Sequence, residues 1–580
     1  MSLYFCSHDS GYVMHTDTSS STFDCDACLP LLIGVTGHRD LRADDEPIIA
    51  DRLRVIFTEL RERYRSTPLL LLSSLADGAD RLTARVAMEL GVGLCVVLPM
   101  PVEYYRLDFT DAASVEEFER LSRRAIGSVL APMSEELRLD DLADPRMREL
   151  QYIQASLYVA RYSHIMLALW DGADSPSPGG THFAVHARLN GGSDFEASAS
   201  DPLDAAEVGV LYHVITPRRS SPVVPDNAGT CTIEYPRSGP SPEHYERLFT
   251  LLDEYNRDVL EWHATSDPSQ CATRSILPHS EIESPPLEQF CRRFTAADRL
   301  AGLYQHRTRR AFIGLFAIVF VAATAFDVYG HLHHWTGKIG LVGYVLLFAV
   351  AWAWYRTAYR RRYQAKYLDY RAVAEGMRVQ LYWHLAGIEQ MVGEHYLRKQ
   401  KSELDWIRYA LNAATIELHS HSTTTEHLPG SMMERLEYSY RQWVESQRGY
   451  FARIRIREQQ RLQRLERLIN RSFVAAFVLA VVQLTVTDTY VIIIPMGLLP
   501  VVAGLLVGYI EKIGLHGHIK ASTYMADLFH RAERRIADAL AKGSHHTAKH
   551  LLFELGKEAL GENGDWLLYH RERPLEVPKG

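Results

Sequence analysis

Three short stretches in the first third of this chain carry side chains able to hold an anionic ligand: Gly37-His38-Arg39, Ser73-Ser74-Leu75-Ala76-Asp77-Gly78-Ala79-Asp80-Arg81, and Asp171-Gly172 followed by Pro178-Gly179-Gly180-Thr181. Glycine lets a backbone approach a phosphate closely, and a helix starting just after it aims free amides at the same place. Arg39 offers a permanently charged, bidentate clamp. One such turn says little, because glycine ends strands everywhere. Three on one edge point to a phosphate-bearing ligand, with Gly37, His38, Arg39, Ser73, Ser74, Asp77, Gly78, Asp80, Arg81, Asp171, Gly172, Gly179, Gly180 and Thr181 as its candidate contacts. Some of these side chains keep two readings. His38 either satisfies local backbone groups or does chemistry. Asp77 and Asp80 either cap the following helix or touch ligand, and Asp80 also suits a ribose hydroxyl. Cys25 and Cys28 form a single CxxC near His8 and His15, but no second pair follows at a finger-like spacing, so no metal is expected.

The elements around these residues follow from the apolar pattern. From residue 31 to about 219, short apolar runs alternate with amphipathic helical patterns, the mark of a parallel α/β sheet. Strands are predicted at 31–35, 69–72, 94–98, 164–170 and 209–215, with helices at 48–64, 81–90, 150–161 and directly after Thr181. All three stretches then sit at carboxyl ends of strands, the edge where open α/β sheets bind ligands.

The 580 residues are 47% hydrophobic and 23% charged, so any membrane-spanning part is a minority of the chain. A net charge of -8 speaks against nucleic acid as the main partner, and seven scattered cysteines fit a reducing compartment. The first thirty residues lack the pattern of a signal peptide. Two pairs of apolar stretches stand out, at 311–326 with 339–355 and at 473–487 with 490–510, the second pair turning near Asp488. Each is near the roughly twenty residues that cross a bilayer. The shorter ones would also suit buried core helices, but the flanks favour a membrane. Arg307, Arg309 and Arg310 precede the first, Arg356, Arg360, Arg361 and Arg362 follow the second, and Arg464, Arg467 and Arg471 precede the third. The positive-inside rule then expects four spanning helices with both termini in the cytoplasm. Trp352, Trp354, Tyr355 and Tyr359 cluster as an interfacial belt would, and Pro495 and Pro500 are placed to kink the last span. Gln483 is the one strongly polar side chain expected within the spans, and no ionisable one is, which weighs against a transporter. The hairpins look like a loose duplication. Arg310-Ala-Phe and Arg471-Ser-Phe open them, and each is trailed by a polar helix, one with Tyr370, Glu375 and Arg378, the other with Tyr524, His530 and Arg531.

The first two stretches, with Ala84, Ala87 and Leu90 after the second, resemble the SLOG superfamily, which joins the DNA-processing protein DprA/Smf to the LOG nucleotide phosphoribohydrolases. Trp170-Asp171-Gly172 followed by Gly179-Gly180-Thr181 resembles that family's glycine-rich phosphate loop. The hairpins with their trailing helices are similar to SLATT-type membrane effectors of bacterial conflict systems. The resemblance implies a Rossmann-like domain sensing a nucleotide or nucleotide-derived second messenger, no other cofactor, a bacterial inner-membrane location, homo-oligomers and a role in antiviral defence. LOG enzymes place a catalytic Glu three residues after the loop Thr; here that position is Ala184. Binding without turnover is therefore the expectation, with a LOG-like hydrolase using Glu207 or Asp171 as the alternative. The expected plan is a mobile leader at 1–30, the ligand-binding domain at 31–219, a linker with one helix at 220–295, membrane hairpins at 296–385 and 471–540, a helical stalk at 386–470 between them, and at 541–580 a tail that docks through Trp566 to Glu576.

Overall fold

The computed structural model describes residues 26–573 except 110, 135–136, 174–178, 192–206, 222–226, 238, 266–284, 332–334, 397–403, 421–430 and 486–489. Cys25, His8, His15, Pro178, Asp488 and the chain after 573 therefore lie outside the described residues. The chain divides into two compact units, one of residues 4–297 with 390–429, the other of 298–389 with 430–580.

In the first unit seven strands form one sheet: β1 Leu31–Gly37, β2 Leu69–Ser73, β3 Gly93–Leu98, β4 Gly127–Leu130, β5 Ile165–Trp170, β6 Val210–Ile215 and β7 Cys231–Glu234. Their order is β4-β3-β2-β1-β5-β6-β7, parallel except that β7 runs antiparallel to β6. Near-continuous Leu, Val and Ile in β1, β2, β3 and β5 suit strands buried on both faces, and all five residues of β2 are buried. The parallel α/β expectation holds. The strand β4 and the strand β7 were not foreseen; β4 is only four residues long with one buried position, and β7 falls in a stretch read as linker. The helices of this unit are α1 Glu46–Arg63, α2 Ala79–Glu89, α3 Val102–Tyr105, α4 Ala112–Arg124, α5 Pro145–Tyr162, α6 Thr181–Asn190 and α7 Pro242–Thr265.

Besides the chain from 220 to 297, which carries β7 and α7, two segments join this unit from outside the predicted 31–219. The leader's last described residues are built in: Leu29 is fully buried, and its amide and carbonyl both bond the Asn256 side chain on α7 at 2.8 Å. Helix Asp405–His419, expected in a stalk, instead packs here, with Ala413 and Ile416 in one core cluster with Leu32, Leu70, Leu72 and Val97. Its apolar face is continuous enough to close a sheet core, which periodicity alone cannot tell from a stalk contact.

The second unit is helical. Among the described residues three helices are long and apolar enough to cross a membrane: Pro285–Asp327, Lys338–Leu385 and Ile492–Ala541. Only 17%, 6% and 6% of their most apolar windows is buried, so these faces are turned outward. Four were expected, and the third of those, 473–487, is the correction. It forms the end of helix Ser446–Gln483, whose uncharged stretch from Phe473 to Gln483 runs about 16 Å at 1.5 Å per residue, against roughly 30 Å of hydrocarbon. Phe477 and Leu484 there are nevertheless 70% and 86% exposed. The duplication has a backbone counterpart. Helix Trp335–Arg360 gives way at left-handed Arg362 (φ 50°) to helix Tyr363–Leu385, and helix Tyr490–Lys512 gives way at left-handed Gly514 (φ 64°) to helix Leu515–Ala541. The tail does dock. Helix His545–Arg571 buries Leu560 and Leu567, Arg571 pairs with Asp369, and Gln364 donates to the His570 carbonyl at 3.1 Å.

Candidate functional site

The sheet order makes β1 and β5 neighbours while β2 lies on the other side of β1, so the chain switches direction of build at the carboxyl ends of β1 and β5. That crevice is where doubly wound sheets leave room for a ligand. The loops after β1 and β2 are locked together across it. A Cβ on Gly78 would stand 2.4 Å from the Arg39 carbonyl and 2.6 Å from that of His38, and Gly78 adopts φ +81°. Only glycine fits both demands. The Ala79 amide donates to the His38 carbonyl at 3.0 Å, which ties the start of α2 to the end of β1. Gly37 is equally constrained, its absent Cβ lying 2.4 Å from that of Ala79. Within the second loop Leu75 is fully buried with φ 54°, a left-handed conformation that a branched residue holds only under constraint.

His38 and Asp171 meet, as two candidates from separate strands. His38 Nε2 accepts from the Asp171 amide at 3.2 Å and from Arg218 Nε at 3.2 Å, and Asp171 Oδ1 lies 3.1 Å from the same nitrogen. Arg218 Nε also pairs with Asp171 Oδ2 at 3.0 Å. Burial, then the Arg218 charge, hold the His38 pKa below its ordinary value, so the ring is neutral at pH 7 and serves as an acceptor. Burial works to raise the Asp171 carboxyl, but the Ala173 amide, His38 and Arg218 outweigh it and keep the group ionised. His38 thus meets one backbone amide, that of Asp171, and two side chains, those of Arg218 and Asp171. Arg218, in the loop after β6, was missed; Thr216-Pro217-Arg218-Arg219 sits at a strand end, the same signal that singled out Arg39.

Arg39 is exposed and lies over the Tyr152 ring, 5.1 Å from its centroid. Tyr152 and Tyr105 are 6.1 Å apart, and the Tyr105 hydroxyl donates to the Ser74 carbonyl at 3.0 Å. Both aromatics come from helical stretches, α5 and α3, where sequence pattern shows only a packing face. The Asp80 side chain is 6% exposed and accepts from the Ser73 hydroxyl at 3.2 Å. Burial pushes its carboxyl up to about 7 against the pull of Ser73, Arg39 and the Ala76 and Ser74 amides. Neither aspartate caps α2, whose N-cap is Gly78 with no side-chain bond. Asp77 and Arg81 point to another task. Asp77 accepts from Ser114 at 2.7 Å and pairs with Arg81 at 2.7 Å, while Arg81, 2% exposed, also bonds the Leu75 and Ser114 carbonyls. They clasp the β2 loop to α4.

The third stretch closes the rim. Gly172 has φ +80° directly after Asp171, and Gly179 has φ +71° with its absent Cβ 2.9 Å from the Ile153 amide, next to Tyr152 on α5. Ser156 donates to the Gly179 carbonyl at 2.9 Å. Gly180 is the N-cap of α6 and, as a glycine, makes no side-chain cap bond of its own. Ala184 is fully buried in a packed cluster with Trp170, Val185 and Leu211. Glu207 precedes β6, at the amino edge of the sheet, and pairs with Arg408. Neither position offers a carboxylate to this crevice. Among the described residues no group of three or more His, Cys, Asp or Glu side chains is arranged to hold a metal ion.

No protein-family model matches the chain, and no curated protein matches it.

Proposed function

We propose that this chain is a membrane-anchored sensor and effector, in which a phosphate-bearing nucleotide or nucleotide-derived messenger binds the crevice at the carboxyl ends of β1, β2 and β5 and controls the apolar helices of the second unit. The observation that carries it is the meeting, at one sheet edge, of two helices begun by glycine without side-chain caps and two arginines, Arg39 and Arg218. Amides at helix starts and guanidinium groups are the pair of features that a phosphate selects. Tyr152, half-buried, adds aromatic surface beside Arg39, the kind a nucleobase stacks on, and the buried Tyr105 ring backs it. Positive residues on one side of the hairpins favour a cytoplasmic sheet unit, and the family resemblance implies a bacterial inner membrane. The effector step is pore formation or membrane disruption by assembled copies, in an antiviral response. Switching the helices from 1:99 to 99:1 requires the messenger to prefer the active state by about 5.5 kcal/mol.

The test uses the full chain purified in detergent. Small molecules that stay bound are identified by mass spectrometry, and nucleotides are titrated calorimetrically into wild type, Arg39→Ala and Gly180→Asp. Nucleotide binding that falls about tenfold or more in each variant supports the reading, since a lost guanidinium contact is worth about 1.5–3 kcal/mol. Equal binding by all three proteins sinks it. Release of a free base from a nucleoside monophosphate would instead favour the LOG-like hydrolase.

A further inference from the structure

Five arginines share one face of helix Ser446–Gln483. Arg453, Arg457, Arg464, Arg467 and Arg471 follow one another at intervals of 4, 7, 3 and 4 residues. At about 100° and 1.5 Å per residue they form a stripe about 80° wide and about 27 Å long. All five are exposed, and among the described residues none pairs with a carboxylate. Glu458 lies off the stripe and pairs with Arg461 at 3.5 Å. Helix His545–Arg571 carries the opposite pattern, with Glu554, Glu558, Glu562 and Asp565 at intervals of 4, 4 and 3. Glu558 and Asp565 are exposed, Glu554 and Glu562 half-buried. Glu554 meets Lys557 at 3.4 Å and Glu558 accepts from the Tyr524 hydroxyl at 3.1 Å, while among the described residues no cation pairs with Glu558, Glu562 or Asp565. Burial, with the Asp565 charge beside it, pushes the Glu562 carboxyl up to about 7, as happens where carboxylates crowd without a cation.

Both stripes can be placed against helix Leu515–Ala541, on which both charged helices pack. Phe451 stacks on Phe529 with centroids 5.6 Å apart and Arg448 pairs with Glu533 at 3.0 Å, so helix Ser446–Gln483 runs antiparallel to it. Tyr524 reaches Glu558, and Trp566 Nε1 donates to His518 Nε2 at 3.4 Å, so helix His545–Arg571 is antiparallel to it as well. The two charged helices are therefore parallel to each other. Counting on from these contacts, Arg457 stands level with Thr523 and Glu558 with Tyr524, Arg464 with His516 and Asp565 with Gly517. Each pair thus shares a height to within about 3 Å. The spacing matches too: Arg453, Arg457 and Arg464 are 4 and 7 residues apart, as are Glu554, Glu558 and Asp565. We propose that a second copy of this chain docks here, the arginine stripe of one against the acidic stripe of the next, Arg457 to Glu558 and Arg464 to Asp565. A rotation about an axis along these helices makes that contact without a shift along it, so the step repeats head to tail and closes where it divides a full turn. Pairing of guanidinium with carboxylate selects the partner and fixes the register. The inference rests on the reading of the effector step as assembly of copies, and supplies its interface.

The experiment follows the full chain in detergent by sedimentation and native mass spectrometry over a series of protein concentrations. Wild type should assemble beyond single copies at about 0.05 M salt and come apart at about 0.5 M, where exposed charges are screened. Arg457→Glu with Arg464→Glu, and separately Glu558→Arg with Asp565→Arg, should each weaken assembly about tenfold or more, because like charges then face each other. All four changes in one chain restore opposite charges and should restore assembly. The uncharged Arg457→Gln with Arg464→Gln should weaken it about threefold or more, and decides the matter if the fourfold chain fails to fold. Charge variants that assemble as wild type does, or a folded fourfold chain that stays single, overturn this interface and leave the assembly reading standing. Wild type that stays single at low salt overturns both.

Discussion

Cutting the chain after the sheet, at residue 297, should leave a domain that does not fold, because residues 390–429 complete its core. Met391, Ala413 and Ile416 are 5%, 0% and 0% exposed and share a cluster with side chains of β1, β2 and β3. Trp406, Ile407 and Leu411 are each no more than 1% exposed, and Trp406 faces Tyr255 of α7 at 6.1 Å. Burying one aliphatic side chain is worth about 1.5–3 kcal/mol. Met391, Ile407, Leu411 and Ile416 with Trp406 therefore represent about 8–15 kcal/mol, an upper figure because unfolded chains already bury some surface. A whole domain is stable by about 5–15 kcal/mol. The segment also brings Glu417 to Arg293, Arg408 to Glu207 and Glu394 to Tyr162. The assay compares residues 1–297 alone with the same residues joined through a Gly/Ser linker to 390–429, by urea titration followed with circular dichroism. The joined protein should unfold in one cooperative step and the short one should aggregate or melt without a transition. Ile416→Ala in the joined protein should cost about 2–5 kcal/mol. A short fragment with the same midpoint and slope as the joined one would refute the argument.

Two further perturbations probe the crevice. Gly78→Ala forces a side chain into φ +81° and against two backbone carbonyls, so thermal or urea unfolding of the full chain should register a loss of about 2–4 kcal/mol, with weaker nucleotide binding. Asp80 supplies a pH signature. Its carboxyl is raised from 3.8 to about 7 in the folded state, so folding takes up a proton between those values; the group favours folding most at low pH, and that contribution is lost as pH rises through about 7. Asp80→Asn should therefore gain stability relative to wild type on going from pH 4 to pH 8, by up to about 4 kcal/mol. A wild-type-to-Asn difference that stays flat across that range would show that the buried carboxyl titrates normally.

Part of the protein was legible from the order of its residues alone. Unbroken apolar runs of strand length with glycine-bearing turns between them can satisfy their backbones only in a buried parallel sheet, and β1, β2, β3, β5 and β6 form where they were expected. Long uncharged helices, likewise, have no comparable partner in a polar chain, and three of them stand with their apolar faces outward. The candidate residues divide in a way that no spacing reveals. His38 meets Asp171 and Gly78 meets the carbonyl of Arg39, whereas Asp77 and Arg81 turn to Ser114 and hold α4. Arg218, Tyr152 and helix Asp405–His419 arrive from distant parts of the sequence, and a local pattern carries no record of which element will pack beside it. Periodicity specifies which face of an element is apolar; packing alone decides which other face covers it.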